Sequence, residues 1–234
     1  MRDTPKYKYR IHNVVLSGRR NMANALNSMN SVAEILEALP AEEIQHMLRV
    51  GRLVDQFSRK LQSYGLLGEF ADERKYFGSA AFYHDIGKAW IPQDILTKPE
   101  RLTKRETLVI HEHPVFAQKL FDQIRLGLIS GVPEYLLSLA ADSAMYHHEF
   151  WDGSGYPYGI SYDAIPLIAR ITTICDAYDA MTSNRIYRKS HSHEHACQEL
   201  KRYAGIQFDP ELVRAFFAAD MNPAVSSDGL LLYL

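Results

Sequence analysis

The sequence predicts an all-α protein. Three observations carry that prediction. Apolar residues recur at helical spacing through most of the chain. Sustained two-residue alternation with hairpin turns is missing. The one long stretch that cannot be helix, EFWDGSGYPYGISYDAIP at 149–166, is broken by Gly153, Gly155, Pro157, Gly159 and Pro166.

The elements follow in order. Residues 1–20 carry six basic residues, Arg2, Lys6, Lys8, Arg10, Arg19 and Arg20, against Asp3. They read as a solvated lead into the first helix, with a partner-binding arm as the other reading. Residues 1–40 are expected to form an N-terminal helical extension. Between 41 and 64, Ile44, Met47, Leu48, Val54, Phe57 and Leu61 form one apolar stripe on a polar background, an amphipathic helix. Residues 71–84 continue as helix and end in the run AAFYH. Thr103 and Glu106 form a capping box that opens a helix through Ile110. Pro114 either kinks that helix or opens the next. Helices are expected again over 133–147 and 165–182. Asp209-Pro210 supplies a cap and a first-turn proline for a final helix over 210–219. One domain over 41–220 results. The tail at 221–234, with its apolar GLLLYL, is expected to pack back on it, a homodimer contact being the other option.

Composition narrows the function. The 234 residues hold 26 Lys+Arg against 28 Asp+Glu, a net charge of −2, and 47% are hydrophobic. That excludes whole-chain disorder. It also argues against bulk nucleic-acid binding, which needs a strongly basic face. An anionic substrate must then be held by local charge, such as metal ions. Cys175 and Cys197 make no disulfide framework, which fits a reducing compartment. The N-terminus lacks the apolar core of a signal peptide, and no apolar run approaches the ~18 residues of a membrane span. A cytoplasmic protein without membrane contact is the expectation.

The candidate chemistry rests on histidines and carboxylates. Adjacent residues such as His84 and Asp85 point in different directions on a helix. They can serve a two-metal site in which the carboxylate bridges both ions. Lys88 follows His84 by four residues, on the same face if the helix continues, where it can meet a phosphate oxygen. Glu42 and His46 share a face at i, i+4. His113 precedes Pro114, His147 and His148 end a helix at the glycine-rich stretch, and Asp176 lies on an otherwise apolar helix. Each residue alone has an ordinary structural reading as a cap or surface pair. Together they offer nitrogen and oxygen ligands without thiolates, a set suited to Fe, Mn, Co, Ni or Zn. His111 lies about 200° around a helix from His113 and is not expected to share its face. His191, His193 and His195 read as a polar loop and helix start rather than a metal cluster.

Three stretches, HDIGKAWIPQDILTKPERLTKRE at 84–106, HHEFWDGSGYPYGI at 147–160 and IPLIARITTICDAYDAMTSNRIYR at 165–188, resemble the HD-GYP family of metal-dependent phosphodiesterases. EEIQHMLRV at 42–50 and His113-Pro114 match the family's remaining positions. The resemblance implies an HD-domain helical bundle with additional helices and a glycine-rich GYP loop. It implies that His84, Asp85, His113, His147, His148 and Asp176 are core metal ligands and His46 a further one. Glu42 matches the glutamate that accompanies a third ion, so the site leans towards three ions rather than two, with Fe or Mn as the first candidates. Lys88 matches a catalytic, phosphate-binding lysine, and Arg185 and Arg188 match substrate-contacting positions.

Gly155, Tyr156 and Pro157 match the signature loop, linked in the family to site shape and to contacts with a diguanylate cyclase or regulatory protein. The implied reaction is hydrolysis of cyclic di-GMP to pGpG or GMP. Cyclic GMP-AMP, another nucleotide, or non-catalytic sensing of a cyclic dinucleotide are the alternatives. One departure is Ala117, where the family usually has glycine; a methyl group there is not expected to destroy the site.

Overall fold

The computed structural model describes residues 29–183 and 190–219. The basic N-terminal arm, Arg185, Arg188 and the C-terminal tail lie outside the described residues. The described chain is built from helices, with only the isolated bridges Ser31–Ser130 and Ala204–Phe208 in place of strands.

Helix α1 (Val32–Glu37) is capped by Ser31, whose hydroxyl accepts the Glu34 amide. It belongs to the domain rather than to an extension. Val32, Ile35 and Leu39 are buried in the main core, and the Val32 amide donates to the Ser130 carbonyl at 2.8 Å. Packing therefore begins some ten residues before the boundary expected at 40.

The long helix α2 (Ala41–Ser63) buries the stripe read from the sequence, with Met47, Val54, Phe57 and Leu61 fully inside. The stretch expected as one helix over 71–84 is instead two short 3-10 turns (Gly68–Ala71, Arg74–Tyr76) and helix α3 (Phe77–Phe82). The chain then tightens into a 3-10 helix, Tyr83–Trp90. Three residues make one turn there, so Asp85 and Lys88 stack where an α-helix would have paired His84 with Lys88.

After a single turn, α4 (Gln93–Leu96), come α5 (Lys104–Ile110), with the expected Thr103–Glu106 capping box, and α6 (His113–Arg125). Pro114 sits in the first turn of α6, so it opens a new helix rather than kinking the old one. Helices α7 (Glu134–Tyr146) and α8 (Leu167–Thr182) follow. The chain closes with α9 (His193–Arg202) and α10 (Pro210–Ala218); Asp209 caps α10 by accepting the Glu211 and Leu212 amides. Between α7 and α8 the segment 149–166 is irregular apart from a 3-10 turn at Tyr162–Ala164.

Helix α2 lies against α3 and α8, and α7 packs on α3, α6 and α8. The 3-10 segment is held against α6 and α7. Gly87 makes that approach possible. A Cβ there would stand 2.0 Å from the His113 carbonyl oxygen and 2.8 Å from the Ala117 nitrogen. Ala117 itself is fully buried with its methyl accommodated, so the departure from the family pattern is absorbed. The packing brings the end of α3, the start of α6 and the end of α7 around one interior point.

Candidate metal centre

Two groups of donors meet at that point. His46, His84 and Asp85 form one, and Asp85, His113, His147 and His148 form the other; within each group the donor atoms lie within 4.8 Å of one another. Asp85 belongs to both. Its Oδ2 stands 3.2 Å from His84 Nε2 and 3.5 Å from His46 Nε2. Its Oδ1 stands 3.2 Å from His113 Nε2 and 3.7 Å from His147 Nε2. Each carboxylate oxygen thus faces its own pair of imidazoles.

The backbone sets how these imidazoles point. His84 Nδ1 donates to the Ala81 carbonyl at 2.8 Å, His113 Nδ1 to Ile110 at 2.8 Å, and His147 Nδ1 to Ser143 at 3.0 Å. A neutral imidazole that donates from Nδ1 leaves Nε2 with a lone pair. Three such lone pairs face Asp85. Its Oδ1 is buried and has no hydrogen-bond partner among the described residues. Acceptors crowded against acceptors, with an orphaned carboxylate oxygen among them, are the electrostatic complement of a cation. Imidazole and carboxylate donors suit borderline divalent ions. The residues therefore fit divalent metal.

His46 is held differently. Its Nδ1 meets Asp179 Oδ2 at 2.7 Å and its Nε2 meets Asp176 Oδ1 at 3.0 Å. Burial favours the neutral ring, but hydrogen bonds to Asp176, Asp179 and Asp85 together outweigh it and push the His46 pKa well up. Arg49 grips Asp179 with two bonds, at 2.7 and 3.0 Å, and so fixes the carboxylate behind the ligand.

Burial has the opposite result elsewhere, pushing His113 down to about 3 and His148 well below the usual imidazole range. Burial also opposes the Asp85 charge, yet Lys88, His84, His147 and His46 together hold that carboxyl well below its usual range. His46 thus carries a proton that a metal must displace. Below the His46 pKa, affinity rises with pH. We expect Mn(II) to bind the His46 group more tightly at pH 7.5 than at 6.5, because that group must release the His46 proton, as titration calorimetry would read. Flat affinity across that range would remove the proton from His46.

Lys88 stands at the mouth. Its ammonium donates to Asp85 Oδ2 at 2.7 Å and to Glu43 Oε2 at 2.8 Å. Burial works against the charge, but Asp85 and Glu43 raise the Lys88 pKa, so the lysine stays cationic. Glu42, the expected third-ion ligand, is exposed and stands outside both donor groups. Its neighbour Glu43 is the carboxylate that α2 turns towards the site. On the helix Glu42 and Glu43 flank His46 on opposite sides, about 40° and 60° away, and the 3-10 segment lies on the Glu43 side, where Lys88 bonds it.

The signature loop folds back onto this centre. A Cβ on Gly155 would lie 2.5 Å from the His148 carbonyl oxygen and 2.3 Å from the Phe150 nitrogen, so glycine is needed for the approach. The Tyr156 amide donates to that His148 carbonyl at 3.0 Å. The buried Glu149 accepts the Tyr158 amide at 2.6 Å, and the Tyr158 hydroxyl donates to Gln118 at 2.6 Å. The peptide between Tyr156 and Pro157 is cis.

Of the residues read from the sequence, His46, His84, Asp85, Lys88, His113, His147, His148 and Asp176 come together, and Gly155, Tyr156 and Pro157 frame them. Glu42 does not join, and Arg185 and Arg188 lie outside the described residues. Sequence reasoning missed Glu43, Arg49, Asp179, Gly87 and His111. Asp179 had a usable signal, since it lies one turn after Asp176 on the same face. His191, His193 and His195 sit away from the centre; His193 opens α9 and bonds the Tyr178 hydroxyl at 2.8 Å, as a polar helix start would.

A buried carboxylate shared between two imidazole groups on an all-α scaffold fits divalent metal. The chain belongs to the HD domain family, whose profile matches residues 30–212. More particularly, it carries the HD-GYP signature stretches. It is 40% identical over 147 residues to a probable cyclic di-GMP phosphodiesterase of Vibrio cholerae, covering 63% of this chain and 33% of that protein. It is 33% identical over 176 residues to the 3'3'-cGAMP-specific phosphodiesterase 2 of Vibrio cholerae, covering 75% of this chain and 32% of that protein. The chain spans about a third of the length of these curated relatives. An HDG"Y"P protein from Bdellovibrio bacteriovorus has the same fold, with a TM-score of 0.56 at 16% identity over 90% of this chain and 60% of that one. No helix among the described residues is long and apolar enough to cross a membrane.

Proposed function

We propose that the chain hydrolyses a cyclic dinucleotide, with cyclic di-GMP as the first substrate and pGpG or GMP as product. The observation that carries this is Asp85, one carboxylate divided between two imidazole groups beside a charged lysine. Divalent ions held there would supply Lewis-acid polarisation of the phosphodiester and a water acidified towards neutral pH. Fe or Mn suits the donors, with Zn, Co and Ni also compatible.

The chain's own residues do the rest. His46, His84 and Asp176 stand to one side of Asp85, and His113, His147 and His148 to the other. Lys88 has three N–H donors, two of them engaged with Asp85 and Glu43. The third is free to meet a non-bridging phosphoryl oxygen as charge builds on it. Arg185 and Arg188 would take the second phosphate or a guanine edge. The loop from Gly155 to Tyr158 packs on the centre through Tyr156, which stacks on His148. Two free cysteines fit a reducing compartment, so we place the activity in the cytoplasm.

Two ions suit the described donors better than three, because Glu42 is exposed. Glu42→Gln is expected to leave the metal count per chain unchanged when measured by elemental analysis. Loss of one ion would restore the third site.

A second reading, cyclic GMP-AMP as substrate, is favoured by the similarity to the cGAMP-specific enzyme. One experiment separates them. Protein loaded anaerobically with Fe(II) or Mn(II) is given each dinucleotide, and products are resolved by chromatography. Faster turnover of cyclic di-GMP supports the first reading, and faster turnover of cyclic GMP-AMP supports the second. Binding without turnover would overturn both in favour of a sensor.

A further inference from the structure

Four of the five imidazoles in the centre are oriented by a hydrogen bond from Nδ1. His84, His113 and His147 use backbone carbonyls, and His46 uses Asp179. His148 is different. Among the described residues no hydrogen bond reaches either of its ring nitrogens, although its ring joins the Asp85, His113 and His147 donors. A half-buried imidazole on a rotatable bond needs some other restraint to keep one nitrogen aimed inward.

That restraint is aromatic. The Tyr156 ring lies over His148 with centroids 4.7 Å apart and planes only 17° from parallel. On the opposite side of Tyr156 lies His111, at 4.0 Å and 13°. His111 follows α5 as its C-terminal cap, two residues before the ligand His113. Three rings therefore stack in a column running from the metal pocket outward. The backbone holds the column's middle in place, because the Tyr156 amide donates to the His148 carbonyl at 3.0 Å and Gly155 permits that approach. Tyr156 cannot leave without breaking this tie. His147 and His113 also meet the His148 ring, at 4.1 and 5.0 Å, but at steep angles, so of the three only Tyr156 lies flat on it and resists its turning.

We propose that the His111–Tyr156–His148 stack fixes the ligating orientation of His148, so that His111 and Tyr156 are positioning residues for that ligand. The stack takes the part that a hydrogen bond plays for the other four. It assigns a role to His111, which its angular offset from His113 had left without one. It also gives the tyrosine of the loop a physical role, in which a planar ring is required and the hydroxyl is not. The inference rests on His148 being a metal ligand.

The test uses planar and non-planar replacements. His111→Phe and Tyr156→Phe keep the stacking plane; His111→Leu and Tyr156→Leu keep bulk but lose it. Each protein is stripped with chelator and titrated with Co(II), reading visible absorption and calorimetry, with thermal unfolding as a check on folding. In the leucine variants we expect the cobalt equivalent bound by the His148 group to weaken about tenfold, the scale of one or two lost ring contacts. Its absorption band should shift, while the equivalent on His46 and His84 stays within about twofold. The phenylalanine variants should match wild type.

Leucine variants with wild-type affinity and spectrum would overturn the proposal. So would phenylalanine variants as weak as the leucine ones, since polar atoms rather than planes would then be responsible. Equal weakening of both equivalents would also overturn it, by showing general loosening. Wild-type protein that binds no cobalt would instead bring down the metal reading on which the inference rests.

Discussion

Asp85→Asn is expected to lower cyclic dinucleotide turnover by about 10³-fold or more, the scale of losing a principal electrostatic element of a site. It should also strip the protein of one or both ions. The amide has the size of the carboxylate, so steric effects are small. Its chemistry is wrong in either orientation. With the NH₂ on the Oδ1 side, its hydrogens face the lone pairs of His113 and His147, and a cation there loses its anionic ligand. With the NH₂ on the Oδ2 side, hydrogens face His84 and the Lys88 ammonium, 3.2 and 2.7 Å away. Elemental analysis and product chromatography read the two effects together, with far-ultraviolet circular dichroism confirming an intact helical fold. Unchanged metal content with unchanged rate would remove Asp85 from the centre.

The second large effect comes from a residue with no side chain. Gly87→Ala puts a methyl 2.0 Å from the His113 carbonyl oxygen, with the Ala117 nitrogen at 2.8 Å. Both obstacles are backbone, so no rotamer change relieves the overlap. Either the 3-10 segment lifts from α6 or the first turn of α6 is displaced. We expect a loss of about 3 kcal/mol, the upper range for overpacking, seen as a fall of roughly 10 °C in Tm. Metal affinity should fall as well, because the shift separates His84 and Asp85 from His113. Calorimetric unfolding with and without Mn(II) measures both. A Tm within about 2 °C of wild type would show that the segment has slack.

These two residues also mark how far the sequence could be read. Asp85 was legible because carboxylate and imidazole chemistry restricts which residues hold metal, and six of its partners were named with it. Gly87 was not legible as an essential contact. A glycine inside HDIGK shows only conformational freedom, and the approach of α6 to its hydrogen atoms is a fact of packing. Glu42 shows the limit from the other side. Its i, i+4 spacing to His46 is correct on α2, yet spacing along one helix does not say which face meets the site. Glu43 took the place beside Lys88 because the partner segment lies on its side.

By itself, the sequence determined the helical class, the amphipathic stripe of α2, the capping box at Thr103 and the break at 149–166. These depend on local rules of periodicity and capping, whereas the candidate ligands came from a resemblance to a family. Only the tertiary structure decided that 83–90 is a 3-10 helix pairing Lys88 with Asp85, and that Asp179 and Arg49 brace His46. It alone decided that α1 belongs to the core and that His111 closes a column of rings over His148. Each of these joins residues distant in the chain or depends on the pitch of one turn. Such contacts are set by how helices press together, which no single stretch of sequence specifies.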